Sequence, residues 1–209
     1  MRRYPFPETQ YVKEVHTKTQ IYLHHTAGNS SADSVFADWS KSPERIATFA
    51  VISGNGEIIT GFDPKYWAFH LGLRESVFQS RGLKYRSLDK ISIGIELCNW
   101  GQLKQIGPRE FHNYVGRSTP PELVRKLDKP FKGFQYYHDY SPTQIESLRS
   151  LLVMLGEQFK IPLTYNEDIW GVTTRALKGQ PGVFTHNSVR NDKVDVYPHP
   201  GLVEMLKSL

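Results

Sequence analysis

The sequence predicts an α/β fold, a single domain in which helices flank a mixed central β-sheet. Three observations carry this expectation. Two apolar segments, 21–26 and 91–98, alternate with the period of strands. An Asn55-Gly56 pair stands between two further apolar runs and marks a hairpin. Ile145, Leu148, Leu151, Leu152, Leu155 and Phe159 recur at helical spacing. At 209 residues the chain can bury a core within one domain, taken as 1–209.

Residues 1–19 are polar, proline-bearing and aperiodic, and read as an N-terminal arm laid over the domain. In strand 21–26, alternation puts Ile21, Leu23 and His25 on one face and Tyr22, His24 and Thr26 on the other. Only one of the two adjacent histidines therefore faces a given site. Residues 27–31 turn the chain, and Ser30 and Ser31 are cap candidates for a short helix carrying Val35, Phe36 and Trp39. Runs 47–52 and 57–60 flank the Asn-Gly turn as the two arms of the hairpin.

In 91–98, Ile91, Ile93, Ile95 and Leu97 form a core face. Ser92, Gly94, Glu96 and Cys98 form the other, small residues around one carboxylate, as on the floor of a cleft. Segment 101–140 is rich in Pro, Gly, Lys and aromatics with little periodicity, and reads as a long loop or insertion. Ser141-Pro142-Thr143-Gln144 is a capping box with proline at the first helical position. A second irregular stretch, 162–182, leads to a strand at 183–186, and 202–209 reads as a short closing helix.

Composition excludes several classes. No apolar run approaches the ~20 residues of a membrane span. The opening Met1-Arg2-Arg3-Tyr4-Pro5-Phe6-Pro7 is basic but lacks the apolar stretch of a secretory signal, so synthesis in the cytoplasm is expected. One cysteine, Cys98, excludes an internal disulfide framework and a zinc finger. The net charge of +5 and pI near 9.2 attract polyanions, both nucleic acid and anionic cell-wall polymers. No basic run with interleaved aromatics and no helix-turn-helix pattern accompanies that charge, so nucleic acid is not the expected partner.

His24 and His186 each end an apolar strand, where α/β sheets open into a crevice, and Asp195 follows His186 by one short loop. A catalytic zinc takes three protein ligands and keeps one position open, so this set suffices for Zn2+. Such an ion acidifies bound water and polarises a carbonyl under attack. Glu96 interrupts a buried strand and is the candidate general base; a structural ion pair is its alternative. Lys193, two residues before Asp195, is placed to face an oxyanion, with a solvated loop lysine as its alternative.

Four segments carry a resemblance: Ile21-Tyr-Leu-His24-His25-Thr-Ala27, Trp67-Ala-Phe-His70-Leu-Gly72, Ser92-Ile-Gly-Ile-Glu96-Leu-Cys-Asn99, and Thr185-His186 with Lys193-Val-Asp195. Together they resemble the signatures of type 2 N-acetylmuramoyl-L-alanine amidases, zinc enzymes sharing a fold with peptidoglycan recognition proteins and many bacteriophage lysins. The resemblance runs in order over 19–201. It implies Zn2+ on His24, His186 and Asp195, catalysis by Glu96 and Lys193, and a peptidoglycan groove lined by Trp67 and His70 with Asn99 beside them. It implies hydrolysis of the amide between N-acetylmuramic acid and L-alanine by a monomeric phage or prophage lysin acting on the cell wall after release. His25 then packs.

Two departures stand out. Ala47-Thr48-Phe49 replaces a histidine or tyrosine found in many members, so Glu96 and Lys193 carry more of the chemistry. Asp195-Val-Tyr-Pro-His-Pro-Gly replaces the common Asp-Pro-Gly and leaves His199 as a competing ligand. Tyr66 and aromatics of 101–140 are further candidates for the groove, core packing being their alternative. Two other functions stay open: a non-catalytic peptidoglycan binder, against which the three filled ligand positions argue, and a zinc peptidase acting on the stem peptide.

Overall fold

The computed structural model describes residues 1–28 and 31–209. In chain order its strands are β1 (Arg2–Arg3), β2 (Gln20–His25), β3 (Ala50–Ile52), β4 (Ile58–Thr60), β5 (Ser92–Leu97), β6 (Gln102–Gly107), β7 (Glu110–His112), β8 (Ser118–Thr119), β9 (Val124–Phe131), β10 (Phe134–His138) and β11 (Gly182–Thr185). The helices are α1 (Ala32–Lys41), α2 (Glu75–Gln79), α3 (Leu88–Ile91), α4 (Pro142–Phe159), α5 (Thr174–Leu177) and α6 (Pro200–Lys207).

The main sheet runs β1-β4-β3-β5-β2-β11 and is mixed, as the sequence predicts. β2 lies parallel to both β5 and β11, β5 parallel to β3, and β3 turns back antiparallel on β4. Ile21, Tyr22 and Leu23 are fully buried although they point to opposite faces, the condition of a parallel strand covered on both sides. That register sets up everything downstream. His24 pairs with Glu96, and Thr185 pairs with Leu23, which leaves His186 one step beyond, level with His24.

α4 begins where expected: Ser141 Oγ accepts from Gln144 N at 3.0 Å and Pro142 takes the first turn. Gln144 does not reach back to complete the box. Its amide donates to Ile52 O and Cys98 O, tying the start of the helix to the ends of β3 and β5. Leu148, Leu151, Leu152 and Leu155 form the buried stripe, each stabilising by roughly 1.5–3 kcal/mol. α1 buries Val35 and Phe36; Ser31 is its cap residue but makes no side-chain cap bond, and Ser30 lies outside the described residues with Asn29. α6 starts before the expected residue 202 because His199 Nδ1 accepts from Leu202 N, with Pro200 in the first turn. In 162–182, a 3-10 turn at Glu167–Trp170 and α5 give the irregular stretch its shape.

Segment 101–140 is not a long loop. It folds into a second, antiparallel sheet of order β8-β7-β6-β10-β9. Two register shifts, between Gln105 and Gly107 and between Phe134 and Tyr136, break the alternation that would have announced strands. Lys132 and Gly133, both at positive φ (50° and 85°), make the tight turn from β9 to β10. Tyr137 and Leu127 pack into the main core, whereas Leu103 and Phe111, with Tyr136, lie on the face opposite Tyr137. Tyr137 stacks on Tyr197 at 4.2 Å, and Tyr197 on Tyr140 at 5.0 Å, which clamps the sheet against the loop that follows His186.

Residues 1–19 run along the hairpin edge: β1 pairs with β4, and Tyr11 stacks on Phe62 at 4.8 Å. Among the described residues no helix is long and apolar enough to cross a membrane.

Candidate metal and catalytic site

The carboxyl ends of β2, β5 and β11 open into one cleft, lined among others by His24, His70, Glu96, His186, Lys193 and Asp195. His24 Nδ1 lies 3.1 Å from His186 Nδ1 and 3.2 Å from Asp195 Oδ2, and His186 Nδ1 lies 3.0 Å from the same oxygen. Three donor atoms thus form a nearly equilateral triangle. A tetrahedral site with bonds near 2.1 Å needs ligand atoms about 3.4 Å apart, so the residues fit a zinc ion closely.

The protonation pattern agrees. His186 Nε2 faces the carbonyl of Leu71 at 3.0 Å, a group that only accepts, so Nε2 carries the proton and Nδ1 presents a lone pair. His24 Nε2 meets His70 Nδ1 at 2.9 Å, and His70 Nε2 meets Ser92 Oγ at 2.9 Å. With His70 donating to Ser92, His24 donates to His70 and also turns a lone pair inward. Two lone pairs and a carboxylate oxygen crowded within 3.2 Å repel one another unless a cation stands among them.

Electrostatics separates the groups. Burial and the neighbouring His186 pull His24 down to about 4, against the pull of Asp195, so it is neutral near pH 7. Burial, with His24 and His186 beside it, holds His70 well below the usual imidazole range. Burial raises the Asp195 carboxyl, and only where His186 and His24 carry protons on the facing nitrogens do their charges and hydrogen bonds outweigh it and hold it well below the usual carboxylate range. Glu96 goes the other way: burial and the charge of Asp195 push it well above that range, opposed by Lys193. Among the described residues its buried Oε2 has no hydrogen-bond partner and Glu96 forms no ion pair within 4.0 Å.

Small residues on β5 make room for the support. A Cβ at Gly94 would stand 3.0 Å from His70 Nδ1 and 2.7 Å from Thr48 Cγ2, so only glycine admits the His70 ring over the strand. Asn187 Nδ2 donates to both Asp195 O and Val196 O and pins the loop that presents the carboxylate. His25 points to the opposite side, meets Tyr140 Oη at 3.3 Å and packs.

Four expectations need correction. Trp67 does not line the cleft: its indole donates to Glu14, with Phe69 edge-on and the Lys90 ammonium over its ring. Asn99 is buried, donating to His138 O and Asp139 O and accepting from Gly101 N, so its amide is saturated where the chain leaves the main sheet. His199 is no competing ligand, since one ring nitrogen caps α6 and the other meets Asp139 at 2.7 Å. Tyr66 stacks on Tyr11 instead of bordering the cleft. Ile46, Phe69, Arg190 and Asp192 line it without any sequence signal to mark them, because loops bring them there.

The sequence pattern of the family described as N-acetylmuramoyl-L-alanine amidase matches residues 15–200. No curated protein gives a match. Among solved structures, PlyL is similar with a TM-score of 0.56 at 13% identity, over 100% of this chain and 95% of that one. A mutant endolysin from Bacillus subtilis gives 0.53 at 14% identity, over 92% and 87%. The catalytic domain of XlyA gives 0.50 at 14%, over 92% and 88%. At such identities the likeness is one of fold.

Proposed function

The chain belongs to the N-acetylmuramoyl-L-alanine amidase family, and from that premise we propose that it cuts peptidoglycan between the lactyl group of N-acetylmuramic acid and L-alanine, using zinc held by His24, His186 and Asp195. The observation that carries this reading is the triangle of donor atoms with edges of 3.0–3.2 Å, set in a cleft beside the unpartnered oxygen of Glu96.

A zinc ion at that place supplies a Lewis acid for the scissile carbonyl and makes water a better acid near neutral pH. Glu96 takes the proton that the attacking water loses and passes it to the alanine nitrogen as the C–N bond breaks. Lys193, whose charge already acts on Glu96, faces the negative charge that develops on the carbonyl oxygen. The products are a lactyl carboxylate and a free alanine amino terminus. Leu71 and the His70–Ser92 pair hold the two imidazoles in the lone-pair-inward state, and Asn187 holds the carboxylate loop. The proposed setting is lysis of a bacterial cell wall, as for the phage lysins that the sequence resembles.

Mass spectrometry of digested cell wall tests the reaction, free L-alanine amino termini and unsubstituted muramic acid being the expected products. Glu96→Gln lowers the rate by about 10²–10⁴ while zinc content stays at the wild-type level. His186→Ala loses both zinc and activity. Full activity in either variant sinks the mechanism. Wall binding without any release would identify a binder, and new amino termini inside the stem peptide would identify a peptidase.

A further inference from the structure

Beyond the metal cleft lies a second cavity of about 580 Å³ that shares Thr26, Ala27, Ile46 and Glu96 with it. The two are therefore arms of one trough, with Glu96 at the junction. The far arm is walled by Trp39 from α1, by Trp100 where the chain enters the second sheet, and by Tyr114 and Arg117 at the turn between β7 and β8. We propose that this arm is a docking site for the pyranose rings of the glycan strand, an inference that rests on the amidase reading and adds the place where the sugar lies.

The chemistry of the lining selects the occupant. A pyranose offers an apolar C–H face and a rim of hydroxyl and acetamido groups, and it is held by aromatic faces with a hydrogen-bond donor beside them. Trp100 and Tyr114 meet at 56° with centroids 6.4 Å apart, so neither ring covers the other face to face. Tyr114 is 63% exposed at the tip of its turn, an aromatic left bare next to the cleft. That turn is built, since Asn113 Oδ1 accepts from both Val115 N and Arg117 N. Arg117 makes no ion pair among the described residues, and its five N–H groups are available to hydroxyl and acetamido oxygens. Both arms carry charge, Asp38 and Arg117 in the far one and Arg190, Asp192 and Lys193 in the metal arm, but Trp39, Trp100 and Tyr114 give the far arm a cluster of indole and phenol rings that the metal arm lacks.

The test uses glycan strands stripped of their stem peptides, which contain no scissile amide, and free stem peptide as the competing probe. Each is titrated into the full-length zinc-loaded protein, with tryptophan fluorescence and calorimetry as readouts. Stripped glycan is expected to bind and to change tryptophan emission, Tyr114→Ala and Arg117→Ala each weakening it about tenfold with unchanged melting temperature. Both residues are exposed turn positions, and Trp100→Phe supplies a third variant that keeps an aromatic wall while altering the emission. The proposal is overturned if the wild type does not bind stripped glycan, if neither variant weakens it, or if free stem peptide occupies the Tyr114 site instead. Because the probe cannot be cleaved, a protein that binds it but releases nothing from cell wall would refute the amidase reading alone. An active amidase with no Tyr114-dependent glycan binding would refute this inference alone.

Discussion

The main sheet and the second sheet hold side chains over the same trough by opposite means. In the main sheet, parallel strands buried on both faces fix His24, Glu96 and the start of the His186 turn to one another through ladder register. In the second sheet buried side chains are few and split between the faces, Tyr137 on one and Leu103 and Phe111 on the other, and the residues offered to the trough, Tyr114 and Arg117, ride on a turn closed by the Asn113 side chain. Donor atoms for a metal must meet within a few tenths of an ångström, which a two-sided core can enforce. A surface that grips a polymer tolerates more play, and a turn with one buried neighbour is enough.

That contrast is broken or sharpened first by stability. Leu152 is fully buried on α4 beneath the main sheet, whereas Ile106 on β6 is 49% exposed. Leu152→Ala is expected to cost about 2–5 kcal/mol in denaturant unfolding, and Ile106→Ala within about 0.5 kcal/mol. Equal costs would mean that the second sheet carries as much of the core as the first.

Next in size is the support of the metal ligands. Replacing His70 by Phe keeps the volume but leaves His24 Nε2 without its partner, and zinc affinity is expected to fall about 10–100-fold. Competition with a chelator measures it, with far-UV circular dichroism to confirm the fold. Replacing Trp67, which touches neither imidazole, is expected to leave the affinity unchanged. A His70 variant with wild-type affinity would remove the relay from the site.

How far the sequence made these parts legible follows from the same contrast. β2, β5 and α4 could be read because burial on a regular element writes its period into the chain. The pairing of His24, His186 and Asp195 was legible through position, two strand ends and one short loop. The second sheet was not, since its bulges shift the apolar period midway and its few buried side chains are divided between its two faces. Lys132-Gly133 between two phenylalanines was the signal available there, a positive-φ turn flanked by aromatics. Trp67 and Asn99 misled for another reason: a motif marks residues that matter, and these two matter to the scaffold, through Glu14 and through the carbonyls of His138 and Asp139. His199 likewise serves the helix it caps.

The smallest effect lies where the two sheets are tied together. Asp139, just past β10, takes a two-pronged bond from Arg125 on β9, at 3.0 and 2.8 Å, and meets His199 Nε2 at 2.7 Å. Burial raises its pKa, but His199 and Arg125 outweigh burial and bring the carboxyl down to about 2. A folded-state pKa below the ordinary 3.8 means that the unfolded chain binds the proton more tightly, so this group stabilises the fold above pH 4. The contribution fades as pH falls from about 4 to about 2 and is gone below that. Discounted for partial exposure, it amounts to about 1–2 kcal/mol. Asp139→Asn should therefore lower stability near pH 6 by about that amount, and the gap to the wild type should close as the pH approaches 2. Urea titrations of both proteins at several pH values read it directly. A gap that stays constant with pH would show that Asp139 joins the sheets through shape and hydrogen bonding, without a contribution from its charge.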